Sequence, residues 1–362
     1  MKCAVITPIG PGHQERYAFC RESIEAAWAQ DQGRFDSLEL LPMWDTEGLH
    51  GRSARRNDGI ARARALGCAW IFFLDADDLM FPTAFASASP YLDSHDAIWG
   101  TIYEGDPAQG TGAVRPNQPE RLETLDHLLL TDPFLSLQMG HFVRTEVAEA
   151  VGFDVTMDVG EDFKYYLALW SSRRCLKLNT PLFINIRGAH STGPRSGHGG
   201  QWRQAVQAQI LAAMAGRECI ADVTCNGTAA RFLIADPFDT VQSAQCRGKF
   251  FEQDELLELR RWLPAGAAIA EVGANVGNHL VFYARQMAPA RLYPVEPNPA
   301  SLALLRRNIS LNGLDRLVDQ RGLGVAVGRE PGYAGISLPE AHNLGAARMV
   351  VGGTIPVVPL DT

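Results

Sequence analysis

The chain lacks any uncharged apolar run of the roughly 18–20 residues that a membrane span needs. It lacks a basic excess as well. With 33 Lys and Arg against 41 Asp and Glu, the formal net charge is −8, which argues against a nucleic-acid footprint. The basic residues are dispersed, and the cluster Arg52-Ser53-Ala54-Arg55-Arg56 is too short for a membrane-binding polybasic segment. No Cys-x-x-Cys pair occurs among the seven cysteines; scattered and odd in number, they fit free thiols in a reducing cytoplasm better than a disulfide framework or a zinc site. The start, Met1-Lys2-Cys3-Ala4-Val5-Ile6, enters a strand at once and carries no signal-peptide core. Repeats and low-complexity tracts are absent. What remains is ordinary globular composition, 46% hydrophobic and 20% charged over 362 residues, which predicts two cytoplasmic domains.

The most informative stretch is Trp70-Ile71-Phe72-Phe73-Leu74-Asp75-Ala76-Asp77-Asp78. Five apolar residues predict a strand buried on both faces, which then runs into three carboxylates in four positions. Such a cluster must meet solvent or a cation, and ligands of open α/β sheets bind at the carboxyl ends of strands. Close oxygen ligands suit Mg²⁺ or Mn²⁺; the other reading is a solvated acidic turn. Around it, the residues predict a strand over Cys3–Ile6, a Pro/Gly turn, and a helix over Glu15–Gln30 whose buried face includes Tyr17, Phe19, Ile24, Ala27 and Trp28. A strand from Ser37 to Pro42 and a helix over Asn57–Leu66 follow, so a mainly parallel sheet is expected.

The run Gly51-Arg52-Ser53-Ala54-Arg55-Arg56-Asn57-Asp58-Gly59-Ile60, then Asp75-Ala76-Asp77-Asp78, then Gly152-Phe153-Asp154 and Gly160-Glu161-Asp162-Phe163, resembles family 2 glycosyltransferases of the GT-A fold, over roughly the first 200 residues. The resemblance implies an inverting, metal-dependent transfer of sugar from a nucleotide-diphosphate sugar donor to a glycan acceptor. It implies donor contacts at Thr7, Pro8, Asp45, Arg56 and Asp75, metal ligation by Asp77 and Asp75, and a catalytic pair Glu161 and Asp162, with Asp162 the general base. The family's usual Asp-x-x-Ser-x-Asp is here Asp45-Thr46-Glu47-Gly48. Glu161 and Asp162 also precede a helical run, where acids cap N-termini. The polar stretch Gly188–Gly200 offers His190 as a third metal ligand and Arg195 to the diphosphate; an ordinary surface loop is the alternative. His13, His141 and His279 read as local hydrogen-bonders.

After a connecting helix from Trp202 to about Glu218, the pattern restarts, giving expected domains at 1–217 and 218–362. A strand is expected over Ala229–Ile234 and a helix over Glu252–Trp262. The strand Ala267–Val272 opens through Gly273 and Gly277 into a helix, and Glu296 lies about 20 residues beyond Gly277, the spacing of an acid that binds ribose hydroxyls. Glu271-Val-Gly-Ala-Asn-Val-Gly-Asn278 with Val295-Glu296-Pro297-Asn298-Pro299 resembles the FkbM family of S-adenosylmethionine-dependent methyltransferases. That implies a Rossmann-like class I domain, cofactor contacts at Glu271, Gly273, Asn275, Gly277 and Glu296, and O-methylation, often of a sugar. Relative to that family the domain is expected to be partial: either the chain is a truncated gene product, or the open sheet edge is covered by the first domain or by a partner subunit, such as a second copy. The combined expectation is a bacterial-type fusion for polysaccharide biosynthesis. A nucleotidyltransferase and a non-catalytic nucleotide-sugar or glycan-binding module are the alternatives.

Overall fold

The computed structural model describes residues 1–106, 110–186 and 199–360, in two compact α/β units, Met1–Ala213 and Met214–Thr362.

The first unit opens with β1 (Lys2–Ile9), α1 (Gln14–Gln30), β2 (Ser37–Trp44), α2 (Gly51–Ala65) and β3 (Trp70–Phe73). It continues through β4 (Leu79–Met80), α3 (Ala84–Ala88), β5 (Ala97–Asp106), β6 (Thr111–Val114), α4 (Leu125–Leu129), α5 (Pro133–Ser136) and β7 (His141–Arg144). It closes with α6 (Thr145–Val151), α7 (Glu161–Ser172), β8 (Cys175–Ile186) and α8 (Gly199–Met214). The sheet order is β2-β1-β3-β7-β5-β8-β4, with β6 on β5. β2, β1 and β3 form the expected parallel half and β5 pairs with β8 in parallel, but β7 runs antiparallel to both β3 and β5, so the sheet is mixed. Every residue of β3 is buried, because strands flank it on both edges and side chains cover both faces. Its end delivers Asp75, Asp77 and Asp78 to the carboxyl edge of the parallel half.

On α1 the buried stripe is Tyr17, Cys20, Ile24 and Ala27, at helical spacing of three and four. Phe19 falls off that stripe and is exposed, contrary to expectation. α2 begins six residues earlier than its predicted start, at Gly51. The cause is Asp45, whose carboxylate accepts from the first free N–H groups of that turn: Leu49 at 3.0 Å, His50 at 3.1 Å and Gly51 at 2.8 Å.

The second unit contains the hairpin β9 (Cys219–Cys225) and β10 (Thr228–Ile234), then α9 (Thr240–Cys246) and α10 (Gln253–Leu259). β11 (Ala268–Val272) leads into α11 (Asn278–Gln286), and β12 (Arg291–Val295) into α12 (Pro299–Leu311). β13 (Ala326–Val327), β14 (Gly332–Ser337), β15 (Arg348–Val351) and β16 (Ile355–Val358) make a separate four-stranded sheet. β11 and β12 pair in parallel, and bridges from Leu292 to Val318 and from Glu296 to Leu323 extend β12 on its other side. Among the described residues β12 is the sheet neighbour of β11, and Val272 is 57% exposed. All seven cysteines are free, and no described helix is long and apolar enough to cross a membrane.

Candidate functional site

A cavity of about 470 Å³ opens at the carboxyl edge of β1, β2 and β3. Pro8, Asp45, Arg56, Asp75, Asp77, Glu161 and Asp162 all line it, so the fold gathers residues that lie up to about 150 positions apart. Thr7 is buried and is not a lining residue. His190 and Arg195 lie outside the described residues.

The three carboxylates after β3 have different surroundings. Asp75 accepts from Arg56 Nη2 at 2.6 Å, and Arg56 is itself only 2% exposed. Asp78 is buried and accepts from Asn185 at 3.1 Å and from the Ile186 N–H at 3.0 Å, which ties this turn to β8. Burial, with Asp77 and Asp75 beside it, pushes Asp78 well above the usual carboxylate range. Asp77 faces His13 Nε2 at 4.0 Å. Burial and the Asp75 charge raise its pKa against the opposing pull of His13 and Arg16. Two oxygen-donor side chains facing one cavity, with the Asp75 charge raising the cost of ionising Asp77, fit a hard divalent cation that completes its shell with water and substrate oxygens. Among the described residues no group of three or more His, Cys, Asp or Glu is placed to hold a metal unaided.

Across the cavity, α7 presents Glu161 and Asp162. Gly160 precedes the helix in the left-handed region at φ 77° and makes no side-chain cap. Glu161 is 1% exposed and both its oxygens accept from Arg52, with Arg56 Nη1 at 3.7 Å. Arg52 and Arg56 stand four apart on α2, hence on one helix face, and reach together toward α7. Asp162 remains partly accessible, and one oxygen accepts from the Phe163 N–H at 2.8 Å. Burial first, then the Glu161 charge, lifts Asp162 to about 6, against Arg52 and Arg56. A carboxylate tuned that close to neutrality is suited to general-base work.

The motif Gly152-Phe153-Asp154 joins the same frame. Asn57 of α2 accepts from the Phe153 N–H at 2.8 Å and donates to its carbonyl at 2.9 Å. Phe153 packs beneath the Arg56 guanidinium at 5.3 Å. Asp45 lines the cavity with its oxygens committed to the α2 N-terminus; those N–H bonds outweigh burial and hold its pKa below the usual range. Sequence reasoning did not single out Arg52, although its i, i+4 spacing to Arg56 was a usable signal. Nor did it find His141 correctly: the ring is fully buried, stacked on Trp99 at 4.4 Å, and among the described residues neither nitrogen has a hydrogen-bond partner. Burial holds it near 3, hence neutral.

In the second unit a cavity of about 310 Å³ is lined by Glu271, Gly273, Asn275, Asn278, His279, Glu296 and Asn298, facing Leu344 to Met349. Gly277 is not a lining residue; it stands at φ 85°, where a side chain is strained, and a Cβ there would push on the Leu305 Cδ1 methyl at 2.7 Å. Gly273 at φ 83° turns the chain out of β11. Glu296 accepts from the Asn275 N–H at 2.6 Å and the Asn298 N–H at 2.7 Å, which fixes its carboxylate at the cavity floor. Burial raises its pKa against those two bonds. Burial and the Glu296 charge push Glu271 up to about 8. His279 bridges Glu252 at 3.3 Å and Glu271 at 3.6 Å.

No protein-family model matches the chain, and no curated protein matches it. Among solved structures, S. aureus TarS is similar over 60% of this chain and 40% of its own, with 14% identity and a TM-score of 0.43. TarS 1-349 in complex with UDP-GlcNAc is similar over 60% of this chain and 67% of its own, again at 14% identity and TM-score 0.43. The M. jannaschii tRNA m1G37 methyltransferase is similar over 32% of this chain and 36% of its own, with 18% identity and a TM-score of 0.21. The chain therefore matches less than half the length of S. aureus TarS and of the methyltransferase.

Proposed function

We propose that the first unit is an inverting glycosyltransferase that moves a sugar from a nucleotide-diphosphate donor to a hydroxyl acceptor. The observation that carries this reading is one cavity with two poles: Asp75 and Asp77 at a strand end, and Asp162, raised to about 6, on α7. Asp77 with Asp75 would hold Mn²⁺ or Mg²⁺. When bound, such an ion neutralises charge on the leaving diphosphate. Arg56 orients Asp75, while Arg52 and Arg56 together hold Glu161 fixed behind Asp162. Asp162 takes the proton of the attacking hydroxyl as that oxygen bonds to the anomeric carbon and the bond to the diphosphate breaks. A single displacement of this kind inverts the centre.

The second unit we read as an S-adenosylmethionine-binding methyltransferase fold. Glu296 would supply two acceptor oxygens to a ribose diol, and the left-handed backbone at Gly273 and Asn275 would let the chain approach such a ligand closely. Together the two readings describe a fusion for adding and methylating sugars, working on a glycan in the cytoplasm.

Titration with UDP, GDP and dTDP, each with and without Mn²⁺, tests the first reading; UDP also appears in a TarS structure. Metal-dependent binding of one nucleotide, lost in Asp77→Ala, supports it, and silence from all three contradicts it. S-adenosylhomocysteine tests the second: binding that Glu296→Ala abolishes is expected, and no heat would overturn it.

A further inference from the structure

Beneath the Asp162 carboxylate several buried polar atoms lie close together without protein partners. Asp162 and Tyr166 stand four apart on α7, so their side chains leave one helix face; Asp162 lines the cavity and Tyr166 does not. Tyr166 is 1% exposed, and among the described residues its hydroxyl has no hydrogen-bond partner. The same is true of Nε of the buried Arg56 and of both ring nitrogens of His141. The Tyr166 ring meets His141 edge-on at 5.9 Å and Trp99 edge-on at 5.7 Å. Burial holds the Tyr166 hydroxyl well above its ordinary range, and the charges acting on it are Asp162 first, then Arg56, Asp75 and Glu161. The hydroxyl therefore lies under the polar floor of the cavity.

Buried hydroxyls and ring nitrogens are almost always hydrogen-bonded, and where side chains do not supply the bond an ordered water does. A buried water needs about two to four polar partners, which the Tyr166 hydroxyl, Arg56 Nε and a His141 nitrogen can offer from one side. On the other side is Asp162. One of its oxygens accepts from the Phe163 N–H, and a carboxylate has further lone pairs for a second donor.

We propose that an ordered water bridges the Tyr166 hydroxyl to the Asp162 carboxylate, with Arg56 Nε or a His141 nitrogen as a further partner, and that Tyr166 is thereby a positioning residue for the base. The role given to Asp162 rests on the glycosyl-transfer reading; the bridge itself does not. A donor held against a carboxylate favours its ionised form. The bridge thus opposes the burial and the Glu161 charge that raise Asp162, on the same side as Arg52 and Arg56 of α2, while His141 of β7 stays neutral.

The test is the titration of the Asp162 carboxyl carbon by NMR, in the full chain without added metal, with the signal identified by its loss in Asp162→Asn. Tyr166→Phe keeps the ring and removes the hydroxyl. It should raise the midpoint by about half a pH unit or more. It should also lower the denaturant midpoint, because the water loses a partner. A hydroxyl that bridges nothing would leave the titration where it is, and its removal would leave stability equal or greater; either result overturns the proposal. Should Tyr166→Phe not fold, a crystal structure of the unaltered chain decides. Ordered water within hydrogen-bond reach of both Tyr166 Oη and Asp162 is expected there, and density for none overturns the bridge. If no nucleotide binds, the transferase reading falls, and the titration still decides the bridge.

Discussion

Asp162 and Glu161 are adjacent on α7 yet have different surroundings. Glu161 is enclosed and held by Arg52, whereas Asp162 keeps access to the cavity and carries the elevated pKa. A base must be ionised to act, so kcat/KM should fall with falling pH through an apparent pKa of about 6. Glu161→Gln removes a neighbouring negative charge that raises this pKa, so the acid limb should move to lower pH; a limb that stays put would contradict the coupling. Asp162→Asn should keep nucleotide binding and lose on the order of 10²–10⁴ in turnover. Loss of binding would instead mark Asp162 as a donor ligand. In the second unit Glu271 tests the same logic through stability. Its folded pKa, about 8, lies above the ordinary 4.5, so the folded state holds the proton more tightly between those values. Stability should therefore fall as pH rises through that window, and Glu271→Gln should flatten the slope in thermal melts.

At the scale of elements, what was legible followed from local pattern. The apolar run of β3 and the acids after it marked one strand end, and the glycines of the β11 turn marked another, where Gly277 stands at φ 85°. Less legible were the features set by distant partners. The antiparallel β7 carries no local mark of its direction, which the sheet neighbours β3 and β5 decide. The early start of α2 depends on the Asp45 carboxylate reaching three N–H groups. The family resemblance implies a donor contact at Asp45; the residue lines the cavity, and its oxygens accept from the N–H groups that open this helix. Asp45→Ala should therefore destabilise the first unit by about 1 kcal/mol or more, measured by denaturant unfolding. An unchanged midpoint would show the cap to be replaceable. The buried pair of Arg115 with Glu104 was illegible, since the two meet through the β5–β6 pairing.

At the scale of the molecule, each of the two compact units has a cavity of its own. We expect two ligand-specific thermal responses: Mn²⁺ with its nucleotide should raise the transition of the first unit, and S-adenosylhomocysteine that of the second. One transition raised by both ligands alike would mean that the units unfold as a single cooperative body. The claim on which the rest depends is that Asp77 and Asp75 hold a cation that receives a nucleotide diphosphate. Its most direct measurement is calorimetric titration of UDP, GDP and dTDP into the full chain, with and without Mn²⁺, and into Asp77→Ala. The account predicts binding of one nucleotide that requires Mn²⁺ and disappears in Asp77→Ala. Equal binding by Asp77→Ala, or none by the unaltered chain, would contradict it.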